Sequence, residues 1–188
     1  MKRIVISKGR IIVSIYIGFC TVLCSCVNDI NKIKTVTYDP KSPDDVTENL
    51  EIIQTDSGYA KFQLFAKLAE TYSKPEVVTK LKDGLKVNFF SKDGKVISTL
   101  TALYGEINMA KGTFFVKDSV QLYNLEKKQK LETEIMYCSL NDSTVYTDKA
   151  VIVRNPQGIL FGNGLRTKLD FTSYVFLKPT GKIDFDKK

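Results

Sequence analysis

Histidine is absent from this chain of 188 residues. The chain therefore lacks the usual general base and the commonest metal ligand, and it cannot form the Ser-His-Asp or Cys-His arrangements of nucleophilic catalysis. A glycosidase needs only two carboxylates, and the 21 acidic residues do not exclude one. However, Asp93, Asp118, Asp142 and Asp148 lie in turn-like segments, where an aspartate usually caps its own backbone. The sequence predicts a protein that is not an enzyme.

The cysteines and glycines also lack the spacing of a cofactor site. There is no Cys-x-x-Cys pair, and Cys138 shares a strand face with Met136 and Leu140, which predicts a buried thiol. The alternative for Cys138 is a disulfide with another chain. No helix signal follows Gly162-Asn163-Gly164, so we interpret this segment as a bulge or a close backbone contact rather than a phosphate loop. We expect no cofactor and no metal.

Long apolar runs are missing except near the N-terminus. Residues 11–23 are apolar and follow a positively charged segment, but a membrane span needs about twenty residues. The run ends in Leu23-Cys24-Ser25-Cys26, which resembles the lipobox of bacterial lipoproteins. We predict a signal peptide over residues 1–25 and a lipidated Cys26, whose acyl chains would hold the protein at a membrane. The alternative is an uncleaved anchor helix.

Excess positive charge is small once the signal peptide is set aside. Four of the 28 basic residues lie in it, which leaves 24 basic against 21 acidic residues, a balance of +3. The chain has no basic stripe with interleaved aromatic residues, and we therefore predict no binding to nucleic acid.

The chain does contain a ladder of short β-type segments. Residues 113–124 are echoed by residues 144–155, which predicts stacked strands and tight turns that share one core. Residues 26–51 are polar and interrupted by prolines, and we interpret them as a tether with an irregular lead-in. Residues 52–188 are predicted to form one antiparallel all-β domain of roughly a dozen strands. Within it, residues 65–72 could alternatively form a short helix.

Turn signals and alternation assign the strands and their inner faces. Asp-Gly pairs are strong hairpin signals, so Asp83-Gly84 and Asp93-Gly94 are interpreted as turns on either side of a strand at residues 85–90. Residues 117–119 are interpreted as a connection between two strands. Period-two alternation places twelve residues on the inner face, where they would line either a groove or a closed core: Phe62, Leu64, Ala66, Val87, Phe89, Val96, Leu100, Ala102, Val120, Leu122, Val151 and Val153.

Several short motifs, in order, resemble the LptC family between residues 56 and 182. They are Gly94-x7-Ala102-Leu-Tyr, Val120-Gln-Leu-Tyr-Asn, Leu131-Glu-Thr133, Val145-Tyr-Thr-Asp148-Lys-Ala-Val151, Pro156-x-Gly158 and Gly162-x-Gly164-Leu165. Related OstA-type modules such as LptA and LptD share the same repeat. The resemblance implies a twisted antiparallel two-sheet β-jellyroll with an open apolar groove, lined by the twelve inner residues. A lipobox stands here where the family pattern has a membrane-spanning helix.

The resemblance also implies partners and a location. The cargo would be lipopolysaccharide or lipooligosaccharide, received from an inner-membrane ABC transporter with LptB-, LptF- and LptG-like subunits and passed to an LptA-like periplasmic bridge. The protein would lie in the periplasm, anchored at the inner membrane. Residues 59–68 would face the transporter, and the late strands, with Leu169 and Val175 as edge residues, would pair with the bridge by strand addition. The alternatives are a structural or adaptor lipoprotein without lipid cargo and a carbohydrate-active enzyme.

Overall fold

A computed structural model describes residues 41–184 of the chain. The predicted signal peptide, Cys26 and the first part of the predicted tether therefore lie outside the described residues. The strands are β1 (Asp45–Asp56), β2 (Tyr59–Tyr72), β3 (Val78–Phe90), β4 (Val96–Ala102), β5 (Tyr104–Asn108), β6 (Thr113–Asn124), β7 (Gln129–Ser139), β8 (Thr144–Asn155), β9 (Gly158–Lys168) and β10 (Tyr174–Asp184).

The ten strands of the described residues belong to one antiparallel sheet. Their order is β1-β2-β3-β4-β6-β7-β8-β9-β10, and β5 pairs with β3 and β6. Successive strands are therefore mostly hairpin neighbours, as expected when short polar turns separate β-rich segments. The predicted all-β antiparallel class is confirmed, and residues 65–72 belong to strand β2 rather than to a helix.

A line of bulges crosses this sheet from edge to edge. Asp83 and Gly84 in β3 have φ angles of 61° and 103°, and Asp118 and Ser119 in β6 have 66° and 56°. At the same level the pairing register shifts between β2 and β3, between β6 and β7, between β7 and β8, and between β8 and β9. We name this line the bulge row, and it consists of Asn49, Lys67, Asp83, Gly84, Leu103, Asp118, Ser119, Glu134, Asp148, Lys149, Gly164 and Leu177.

The bulge row folds the sheet into two layers, because a bulge bends its strand and increases the local twist. The first layer contains residues 50–66, 85–102, 120–133, 150–163 and 178–184, and the second contains residues 45–48, 68–82, 104–117, 135–147 and 165–176. β4 and β5 together occupy one strand position between β3 and β6, and Leu103 interrupts them at the bend. The Leu103 carbonyl accepts from the Gly84 N–H at 3.0 Å, and its N–H donates to the Asp118 carbonyl at 2.9 Å.

The buried apolar side chains of both layers form one core. The two sheets expected from the resemblance are therefore two layers of one continuous sheet. The turns at the free ends of the layers meet opposite the bulge row, where the Lys61 ammonium in the first layer donates to the Leu140 carbonyl in the second at 3.2 Å. We name this meeting line the mouth.

Two predicted turns are wrong because they are bulges inside continuous strands. Asp83-Gly84 lies within β3, and residues 117–119 lie within β6. A bulge and a tight turn both need residues that tolerate positive φ, so the local sequence is the same for both. By contrast, Asp93-Gly94 does form a hairpin turn, closed by bonds between Ser91 and Lys95.

The sheet also begins earlier than the predicted boundary at residue 52. β1 starts at Asp45, so residues 45–51 are half of a strand and not an irregular lead-in. β1 is an edge strand in which no residue is buried, and it is held by backbone pairing to β2. A strand of this kind has little apolar alternation, and its sequence therefore resembles a tether.

Candidate functional site: an apolar interior with a closed mouth

The predicted inner residues line the space between the layers. Eleven of the twelve are at most 6% exposed, and Leu100, Leu122 and Val153 are fully buried. The exception is Val96, which is partly exposed at the start of β4, while its neighbour Ile97 packs against the core. The interior is thus closed in this structure, and no open groove separates the layers along these residues.

Strand register aligns the inner residues of the first layer into rows. One row runs across six neighbouring strands: Leu64, Val87, Leu100, Leu122, Leu131 and Val153. Directly paired apolar side chains on one face of a sheet are in van der Waals contact. The row therefore gives the first layer a continuous apolar wall.

The second layer supplies the opposite wall. Its buried residues include Leu81, Ile107, Phe114, Val116, Met136, Cys138, Val145 and Leu165. Apart from Met136 and Cys138, sequence reasoning did not assign these residues to the interior, although their strands show the same alternation. Cys138 is a buried free cysteine, and burial raises the pKa of its thiol to about 12.

Polar side chains close the mouth between the layers at the β9–β10 end. Ser98 Oγ donates to the Leu169 carbonyl at 2.5 Å, Asn124 Nδ2 donates to the Asp170 carbonyl at 2.7 Å, and Gln129 Nε2 donates to the Phe171 carbonyl. We name these three donors the clamp. They come from β4, β6 and β7 of the first layer, and they are at most 6% exposed. Their acceptors are consecutive residues of the loop after β9.

That loop also adds an apolar side chain to the interior. Phe171 is fully buried although it lies between two strands, and its φ of 49° is in the left-handed region. Its ring lies 5.5 Å from the ring of Tyr174, which lies 5.8 Å from that of Phe176 in β10. Sequence reasoning did not place Phe171 in the interior, although it continues the alternation of Leu165, Thr167 and Leu169, because the late strands were assigned to the edge that would meet the bridge.

Charged groups lie on the outer faces and pair with one another. Glu132 accepts from Arg154 at 2.7 Å and lies 3.0 Å from Lys130, which lowers the pKa of its carboxyl group. Among residues 41–184, no group of three or more His, Cys, Asp or Glu side chains could hold a metal ion. What the arrangement offers chemically is an interior that removes apolar groups from water.

The two edges of the sheet are β1 and β10. Val175 occupies an edge, because it lies on β10, and it is 66% exposed. Leu169 does not: it lies beyond the end of β9, is buried, and donates its N–H to the Ser143 carbonyl at 3.0 Å. Residues 59–68 are not an edge either, because β1 covers β2. The edge near the start of the domain is β1 itself.

The described residues contain no helix that is long and apolar enough to cross a membrane. No curated protein matches the chain. The chain does match the family described as "Lipopolysaccharide-assembly, LptC-related" over residues 12–178, which includes nearly all of the folded sheet. That family is a component of lipopolysaccharide transport in the cell envelope. The chain belongs to the LptC-related lipopolysaccharide-assembly family.

Proposed function

We propose that this protein is a lipid-anchored, non-enzymatic component of lipopolysaccharide export. It receives lipopolysaccharide or lipooligosaccharide from an inner-membrane ABC transporter and passes it to a periplasmic bridge protein. The observation that carries this proposal is the row of apolar side chains across six strands, which faces a second apolar wall. Family membership supplies the cargo class.

The physical task is to move acyl chains through water. Exposure to water costs about 0.8 kcal/mol per CH₂ group, so one chain of about fourteen carbons costs on the order of 10 kcal/mol. The space between the layers removes that cost if the layers part far enough to admit a chain. The inner positions need only be apolar and continuous from one module to the next, which explains why no catalytic constellation is required.

The sheet edges support a docking scheme with two partners. β1 and β10 each have a neighbour on one side only, and an unpaired strand edge can accept a strand from another protein. In our proposal β1 meets the LptF- or LptG-like subunits of the transporter, and β10 meets the LptA-like bridge. β10 already contains Pro179, which is tolerated at an edge because no neighbour needs its missing N–H.

The anchor in this proposal is Cys26, which supplies membrane attachment outside the described residues. Cys26→Ala should abolish lipidation and release the protein from the inner membrane, while the sheet that starts at Asp45 still folds. Metabolic labelling with palmitate and membrane fractionation measure both effects. Label that persists in Cys26→Ala would contradict the lipobox assignment.

Photo-crosslinking in cells tests the cargo. A photoreactive amino acid at Leu122, which is fully buried, should form adducts with lipopolysaccharide when the export machinery is active. Tyr123 is the matched control, because it is the next residue of β6, faces outward and is 38% exposed. Adduct at position 122 well above that at position 123 supports transport through the interior.

The closed interior favours one alternative, a structural or adaptor lipoprotein that carries no lipid. In that case the eleven buried inner residues would only stabilise the fold. The same experiment separates the two functions, since a scaffold would give no lipid adduct at Leu122 in a well-folded and correctly located variant.

A further inference from the structure

The loop between β9 and β10 fills the mouth in a way that differs from an ordinary hairpin turn. It consists of residues 169–173, and we name it the plug loop. A surface turn normally exposes its side chains, but Leu169 is 6% exposed and Phe171 is fully buried. The plug loop therefore occupies part of the interior that the two layers enclose.

The plug loop is attached to its own layer by backbone bonds. The Leu169 N–H donates to the Ser143 carbonyl, and the Phe171 N–H donates to the Lys168 carbonyl, both at 3.0 Å. Within the loop, Asp170 Oδ1 accepts from the N–H and the hydroxyl of Thr172, both at 3.1 Å. All of these partners lie in the second layer, so the loop is a preformed unit of that layer.

Its attachment to the first layer is of a different kind. There the plug loop is held by the three clamp side chains, by Lys127, which donates to the Thr172 carbonyl, and by the packing of Phe171. No backbone pairing between strands would break if the loop moved away with its own layer. Asn124 Oδ1 accepts from the Lys127 N–H at 2.7 Å, which would keep that clamp side chain in place after release.

Two features make Phe171 a poor permanent core residue. Its φ of 49° lies in a region that bulky residues rarely adopt. The carbonyl groups that accept from the clamp could accept hydrogen bonds from water equally well once the mouth opened. The ring is thus an apolar group held in the interior by contacts that can be exchanged.

We propose that the plug loop is a releasable gate at the mouth, and that Phe171 occupies the place where a saturated acyl chain enters between the layers. This rests on the proposed function for the identity of the ligand, but not for the release of the loop. The aromatic contacts from Phe171 through Tyr174 to Phe176 connect the gate to the β10 edge. A strand added to β10 would therefore act on the gate directly.

The test first asks whether the gate releases alone. The chain contains no tryptophan, so Phe171→Trp places a single indole reporter in the plug loop of the full-length protein in detergent micelles. Adding Ser98→Ala and Gln129→Leu removes two clamp donors and should increase acrylamide quenching of the indole fluorescence by about fivefold or more, while unfolding stays a single cooperative transition at a lower midpoint. Thr133→Val is the matched control, because its hydroxyl donates to the Ala150 carbonyl in the first layer and lies 3.4 Å from the Thr147 hydroxyl beside the bulge row, and neither partner belongs to the plug loop.

The second arm measures lipid entry in cells. A photoreactive residue at Leu122 should give more lipopolysaccharide adduct in the Ser98→Ala, Gln129→Leu background than in the Thr133→Val background, again by about fivefold. Unchanged quenching of the indole reporter would overturn the gate. Increased quenching with adduct equal to that of the unmodified chain would overturn its role in lipid entry, although the proposed function would stand. Increased quenching with no adduct in any background would overturn the acyl ligand together with the proposed function.

Discussion

The two long sides of the folded sheet are built in different ways. Along the bulge row the chain itself crosses from one layer to the other, within eight of the ten described strands and at Leu103 between β4 and β5, and neighbouring strands pair on both sides of the bend. Along the mouth the layers are joined by side chains that donate to carbonyl groups, as at Ser98, Asn124 and Lys61. One side is a permanent fold, and the other is a set of separable contacts.

This difference indicates where the interior can open. Opening at the bulge row would break many backbone bonds of the sheet at once. Opening at the mouth would break a few hydrogen bonds, each with a net contribution of about 1 kcal/mol. A groove that opens and closes therefore has its hinge at the bulge row and its opening at the mouth.

The largest effect is expected from crowding the bulge row at Gly164. This residue has φ 72°, and an added Cβ would lie 2.8 Å from Leu177 Cδ1. Gly164→Val should lower the free energy of unfolding by about 3 kcal/mol, because it combines backbone strain with overpacking. Chemical denaturation of the full chain in micelles measures this value.

Gly94→Val is the matched control for Gly164→Val. Gly94 also has positive φ, at 80°, but it lies in an exposed hairpin turn with nothing within 4 Å of an added Cβ. It should cost only the backbone strain, about 1 kcal/mol. Equal losses for the two variants would mean that the bulge row is no more constrained than a surface turn.

The second largest effect is expected for partner binding at the edge strand β10, which follows the plug loop directly in the chain. Val175→Pro should reduce capture of the bridge protein at least about tenfold, because proline removes a backbone donor from the docking strand. Capture of the transporter should not change. Val46→Pro on β1, where Val46 is 55% exposed, should give the opposite result. Pull-downs from cells with equal protein levels measure both.

The two proline variants need a check on folding, since a proline in β10 could also weaken its pairing with β9. Thermal unfolding of each variant should stay within a few degrees of the unmodified chain. A stable Val175→Pro protein that still captures the bridge would exclude β10 as the docking edge. Leu169→Pro is not a suitable probe, because the Leu169 N–H already bonds to Ser143 inside the fold.

Alternation of side chains predicted most of the interior from the sequence. It assigned residues such as Leu100 and Leu122 to the inner face, and both are fully buried, because a strand with one covered face must alternate. Val96 has the same period but is only partly buried, because it lies at the start of β4, where the opposite layer does not fully cover it. The covered face was therefore predictable, but its limits were not.

The bend of the sheet could not be predicted from local sequence. Asp83-Gly84 and Asp93-Gly94 have the same chemistry, but the first is a bulge and the second is a turn. What separates them is pairing with distant residues: β3 continues past Asp83 because β5 offers a partner for Leu81 at Gly105. The plug loop was missed for a similar reason, because the burial of Phe171 depends on donors from β4, β6 and β7.

The smallest expected loss of stability comes from breaking a surface ion pair, and it can be compared with the loss from removing a clamp hydrogen bond. Glu132 on the outer face of β7 has a lowered carboxyl pKa because Arg154 and then Lys130 bond to it. A carboxylate whose pKa is lower in the folded state stabilises the fold above its ordinary value of 4.5, and that stability is lost as the pH falls through the folded pKa. Glu132→Gln should therefore cost about 0.5 kcal/mol at pH 7 and less at about pH 3.

Glu134→Gln is the control for Glu132→Gln, since Glu134 is exposed two residues further along β7 and takes part in none of the five ion pairs of residues 41–184. It should change stability little at either pH. Ser98→Ala, measured in the same denaturation series, should cost about 1 kcal/mol at both pH values, because a hydroxyl donor to a carbonyl does not titrate. If Ser98→Ala cost no more than Glu132→Gln at pH 7, the clamp would be no stronger than a surface ion pair, and closure of the mouth would depend on the packing of Phe171.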